Sequence, residues 1–109
     1  MNVSLYVWQR GTAIVMAPMV GAHLVAIFYA ARHGVTAADV LSRTRGSVGL
    51  AAFYGLFVVA ASIHAAIGLS NVLCEWTPLR RRGAGMIAMV LGMFLFGLGM
   101  RAVGAVTWP

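Results

Sequence analysis

The sequence predicts an all-α membrane protein with three transmembrane helices. Two observations carry that prediction. Of 109 residues, 61% are hydrophobic and 9% are charged, against ~45–50% and ~25% in soluble domains. Such a chain has too few polar groups to cover a soluble surface. The apolar residues also fall into three runs, near 12–31, 47–73 and 84–106. Each is long enough, at ~1.5 Å per residue, to cross a ~30 Å hydrocarbon core. The chain reads as a single anchor domain, residues 1–109.

Tyr6 and Trp8 precede the first run and suit a membrane interface, where amphipathic rings sit at headgroup level. The basic segment and small-residue cleavage site of a signal peptide are not expected here. Arg10 stands just before the run, where a long cationic side chain snorkels to the headgroups. Within the run, Pro18 predicts a kink that a bundle tolerates. His23 lies mid-span, as a hydrogen-bonding group for a neighbouring helix or as a ligand.

The first connection holds Thr36-Ala37-Ala38-Asp39. This has the form of a capping box, with Asp in place of the usual Glu, and predicts a short helix along the interface. His33 is expected to be solvated.

The second run exceeds the length the bilayer needs, so it should tilt or protrude. Its end is the stretch around which the chain is organised. His64, Gly68, Asn71 and Glu75 fall at helical spacings of four, three and four, on one stripe. An ionisable group inside an apolar span points to function, because burying it in lipid is costly. Ala60, Ala61 and Gly68 leave a flat gap beside the imidazole. A porphyrin plate would fill it, and so would a closely packed helix. An imidazole is a natural ligand for haem iron, with a second imidazole completing an electron carrier. His23 and a partner subunit are both candidate sources of that second ligand.

Thr77-Pro78 should end the helix, since proline disfavours helix in the residue before it. Arg80, Arg81 and Arg82 follow, as headgroup and topology charges or as a docking patch. In the third run, Gly85, Gly92 and Gly99 recur every seven residues on one face, and Ala88 pairs with Gly92. That face should pack closely on another helix. The Met residues there read as gap fillers. Arg101 can snorkel from one turn inside the end, and Trp108 and Pro109 close the chain at the interface.

The net charge of +6 comes from eight arginines and no lysine. In a soluble domain such basicity would suggest nucleic acid. Here the arginines occupy the gaps between apolar runs, as membrane topology charges do, so no nucleic-acid partner is expected. They divide equally between the two membrane faces, so charge alone leaves the orientation open. Cys74 is the lone cysteine and permits no internal disulfide. No nucleophile, base and electrophile converge in the pattern of a self-contained active site. Arg10, Glu75 and Trp76 do share a membrane face. There a guanidinium, a carboxylate and an indole N–H would grip the carbonyls of a small head group, or serve as interfacial anchors.

Two motifs give the chain a family resemblance. The first is Gln9-Arg10-Gly11-Thr12-Ala13-Ile14-Val15, similar to an R-x-T-A pattern opening the first helix. The second runs from His64 through Gly68-Leu69, Val72-Leu73 and Glu75-Trp76 to Pro78. Together, over nearly the whole chain, they resemble the D-type hydrophobic membrane-anchor subunit of succinate dehydrogenase (succinate:quinone oxidoreductase).

The resemblance implies a role for each residue. His64 would be an axial ligand of haem b and its iron, with the other ligand from a companion C-type cytochrome b anchor. Glu75 and Trp76 would flank a ubiquinone site, with Arg10 near the quinone or the haem propionates. The partners would be the iron–sulfur and flavoprotein subunits and membrane lipid. The place would be a bacterial inner (cytoplasmic) membrane with the N-terminus cytoplasmic. Such an anchor passes electrons to quinone in the respiratory chain and does not itself oxidise succinate. The family commonly has Asp-Tyr where this chain has Glu75-Trp76, and an indole donates a hydrogen bond but does not accept one. The alternatives are a haem-free fumarate reductase anchor and a structural small membrane protein whose polar stripe only packs helices.

Overall fold

The structure is a computed structural model and describes residues 2–108; Pro109, expected at the interface, lies outside them. Four helices follow in order: α1 Val3–Arg32, α2 Ala37–Thr44, α3 Val48–Trp76 and α4 Arg81–Thr107. Three of them, α1, α3 and α4, are long and apolar enough to cross a membrane. The molecule measures 48 × 23 × 22 Å, and a 30-residue helix such as α1 alone accounts for ~45 Å at ~1.5 Å per residue. The long helices therefore run close to the long axis.

Each span is longer than its apolar run. The first helix starts at Val3 rather than Thr12, because the Asn2 side chain caps it by accepting from the Leu5 N–H at 2.8 Å. Hydropathy marks the apolar residues, but Ser4, Gln9 and Arg10 are compatible with helix and do not end it. Arg10 thus sits two turns inside α1 rather than ahead of it. The helix continues through Pro18 and ends at Arg32. Ser47 caps α3 rather than opening it, and α3 extends to Trp76. There Thr77 turns extended and its hydroxyl bonds back to the Leu73 carbonyl, as expected ahead of Pro78. The last helix begins three residues early, at Arg81, without a side-chain cap from Arg80.

The expected capping box is present on α2. The Thr36 hydroxyl accepts from the Asp39 N–H at 3.2 Å, and the Thr36 N–H donates to the Asp39 carboxylate at 2.8 Å. That backbone donor, with the Thr36 hydroxyl, holds the Asp39 carboxyl below its ordinary value. The short helix is tied to the end of α4. Thr44 donates to the Val106 carbonyl at 2.6 Å, and the Gly46 N–H to the Thr107 carbonyl at 2.7 Å. Gly46 has φ 77°, a turn that side-chain-bearing residues rarely adopt.

The central element is α3, which packs on α4 along one side and on α1 along another. Small residues supply the interior: Ala60, Ala84 and Ala88 are buried, and a Cβ on Gly92 would lie 2.9 Å from the Ala66 Cβ. One on Gly99 would lie 2.6 Å from Val58. In lipid no hydrophobic force pulls helices together, so close backbone approach supplies the packing. Gly85 departs from the expected pattern. It shares the heptad spacing but faces open space.

Candidate functional site

The site is built where α1 crosses α3. Thr12 is buried on α1, and its Oγ1 lies 2.8 Å from the Trp8 carbonyl, 3.1 Å from that of Gln9 and 3.2 Å from His64 Nδ1. A hydroxyl has one hydrogen to give. It goes back to the preceding turn of α1, a common arrangement for Thr in helices. The Thr12 oxygen is then an acceptor for His64, so Nδ1 carries the proton and Nε2 is the bare nitrogen. This assignment comes from the bonding pattern. Among the described residues, Nε2 makes no hydrogen bond.

One turn along α3, a Cβ on Gly68 would meet Gln9 Nε2 at 3.3 Å. The gap expected beside His64 is therefore partly filled from within the chain. Gln9 Oε1 is buried there without a hydrogen-bond partner among the described residues. Sequence reasoning gave Gln9 no role. Its available signal was the three-residue spacing from Thr12, which puts both polar groups on one helical face.

Three pairings fix the register of α1 against α3: Gln9 beside Gly68, Thr12 beside His64 and His23 beside Tyr54. The helices are antiparallel, and Arg10 is level with residue 67. That is ~12 Å from the level of Glu75, eight residues at ~1.5 Å. Arg10, Glu75 and Trp76 are all exposed. The structure does not bring them together: no hydrogen bond joins them among the described residues. Arg10 lies closer in level to His64, on the side of α1 turned away from Thr12. Glu75 and Trp76 stand at the end of α3, with Trp76 83% exposed. Asn71, the remaining member of the stripe, accepts from Arg81 Nη1 at 3.4 Å.

His23 is elsewhere. Its Nδ1 lies 3.1 Å from the Tyr54 hydroxyl, with the rings edge-on at 5.4 Å. Eleven residues of α1 separate its level from that of Thr12, ~16 Å along the axis. That is too far for His23 and His64 to share one iron. His23, a candidate second ligand by sequence, is therefore not placed to join His64 on one iron. His33 is exposed as expected and stacks on Tyr29, with ring centroids 4.2 Å apart.

Among the described residues, no three His, Cys, Asp or Glu side chains gather in a way that would hold a bare metal ion. The arrangement offers a single oriented imidazole nitrogen in an apolar helix. Such a nitrogen can fill one coordination position of an iron held mainly by other groups. No family model matches this chain, and neither does any curated protein or solved structure.

Proposed function

We propose that this chain is a haem b- and quinone-binding membrane anchor of succinate dehydrogenase. The observation that carries the reading is His64, with Nδ1 held by Thr12 and Nε2 left for a ligand. The two sequence motifs add to it. Thr12 belongs to the first and His64 to the second, and they meet in the fold.

In this reading His64 would be this chain's ligand to haem b, and a companion C-type anchor would supply another. When bound, the haem takes up and releases single electrons near the route from the iron–sulfur subunit to ubiquinone. Thr12 would fix the tautomer and orientation of the imidazole, the usual work of a group behind a metal-binding histidine. Arg10, level with this region, would offset negative charge on the propionates. Glu75 would hold or release a proton at the membrane face, and the Trp76 indole would donate to a quinone carbonyl. The N-terminus, Glu75 and Arg80 to Arg82 would face the cytoplasm of a bacterium, beneath the iron–sulfur and flavoprotein subunits.

A specific observation favours a second reading. Gln9 fills space beside Gly68, and both intramembrane histidines have partners inside the chain. A haem-free fumarate reductase anchor, or a structural small membrane protein, needs no more than that.

The test is purification through a tag on this chain, followed by assays on whatever it retains. The proposal expects a flavin- and iron–sulfur-containing assembly that reduces ubiquinone with succinate faster than it reduces fumarate. Co-purification of no dehydrogenase would refute it, and dominant fumarate reduction would move the chain to the second reading.

A further inference from the structure

A second polar-to-apolar arrangement lies on α3 away from His64. A groove with a cavity of about 520 Å³ runs between α3 and α4. Its lining is sorted along its length. Arg81, Asn71 and Ser70 stand at one end. The rest is apolar, including Ile63, Ala88, Met93 and Phe96. Ser62 also lines the groove, but its hydroxyl is turned to the Val58 carbonyl at 2.7 Å, so it adds no free donor.

We propose that this groove binds one anionic phospholipid, with the phosphate on Arg81 and an acyl chain along the apolar length. Three observations point to that occupant. The first is length. Arg81 to Phe96 spans fifteen residues of α4, ~22 Å. Half a bilayer, from headgroup to midplane, is also ~20–22 Å. The second is charge. The Arg81 guanidinium donates to the neutral amide oxygen of Asn71, so its charge is not matched there by a carboxylate. Arg80 and Arg82 flank it, both exposed. A phosphodiester would accept a charge-assisted bond from Arg81. A neutral quinone head could accept a hydrogen bond from Arg81 but would leave its charge unmatched. The third is Gly85, which lines the groove yet has nothing within 4 Å of the position its Cβ would take. Its small size serves no helix contact among the described residues and keeps the groove open near its polar end.

The proposal is independent of haem and of the quinone reading. It is tested on the full-length chain with the subunits that stay bound, by native mass spectrometry after exchange into an equimolar mixture of phosphatidylglycerol and phosphatidylcholine. The expected result is one retained phosphatidylglycerol per chain, favoured about tenfold, a ratio worth ~1.4 kcal/mol. Arg81→Gln should abolish the preference. Gly85→Leu should lower retention of both lipids, while the helix content of each variant by circular dichroism stays at the wild-type level. Equal retention of the two lipids, unchanged by Arg81→Gln, would overturn the proposal. So would displacement of the lipid by added ubiquinone one for one. A photocrosslinker replacing Met93 should capture lipid; a crosslink to a partner subunit would show that the groove is a helix interface instead.

Discussion

Two histidines sit at different levels of the seam between α1 and α3, and they differ in what holds them. His64 faces a threonine hydroxyl whose hydrogen is already committed to the helix backbone. His23 faces the Tyr54 hydroxyl, which rotates and is free to donate or accept. His64 is half-buried, and His23 is exposed. The same residue type on the same helix pair therefore has a fixed tautomer at one level and an adjustable one at the other. An imidazole within an apolar span does not by itself define a ligand. The group behind it does, by deciding which nitrogen is free.

The largest effect expected short of removing an imidazole is at Thr12. Thr12→Val keeps the shape and deletes the acceptor behind His64. If haem is bound, its retention in purified complex should fall ~10–100-fold, the usual cost of losing such a partner. Thr12→Ser should restore it. Full retention in the valine variant would remove the distinction between the two histidines.

A perturbation away from both levels comes next. Gly92→Ala puts a methyl 2.9 Å from the Ala66 Cβ, which moves only with its backbone. The α3–α4 packing should lose ~1–3 kcal/mol, as overpacked sites do, read as a lower midpoint of unfolding in a detergent–denaturant titration. Both α1–α3 pairings should survive. Coupled loss of haem would show that α4 supports the His64 site indirectly.

Tyr54→Phe is smaller. One exposed hydrogen bond between helices in a membrane contributes ~0.6 kcal/mol on average. Stability should barely change and haem content should not. A loss of haem in this variant would place function at the wrong histidine.

The smallest effect lies outside the membrane. Asp39 has a carboxyl held below its ordinary 3.8 by the Thr36 N–H and hydroxyl. A depressed carboxyl stabilises the fold above its unfolded value, and that contribution is lost as pH falls through the folded one. The first-turn amides of α2 should therefore exchange faster, relative to intrinsic rates, only below about pH 3.8, and Asp39→Asn should flatten the profile. Neither histidine environment should respond.

Much of this was legible in the sequence because the signals were local. The three spans follow from apolar runs, the α2 cap from Thr36 and Asp39, and the end of α3 from Thr77-Pro78. The early start of α1 was written in Asn2, a good cap residue, but hydropathy outweighed it. Other features required the fold. Thr12 and His64 are 52 residues apart, and no local pattern pairs them. The filling of the Gly68 gap by Gln9 depends on the α1–α3 register. Helical spacing placed Gly85 with Gly92 and Gly99, yet only the latter two meet α3. The expected grouping of Arg10 with Glu75 and Trp76 assumed that Arg10 preceded its helix. Instead α1 is already helical there, and its register against α3 puts Arg10 level with residue 67, nearer His64 than Glu75.

The most direct measurement compares haem per anchor chain in purified complexes of wild type, His64→Ala and His23→Ala, using the reduced-minus-oxidised spectrum and the amount of chain present. A b-type signal is expected in wild type, retained in His23→Ala and lost in His64→Ala with the complex still assembled. A signal that survives in His64→Ala, or one lost in His23→Ala, would contradict this assignment of the two histidines.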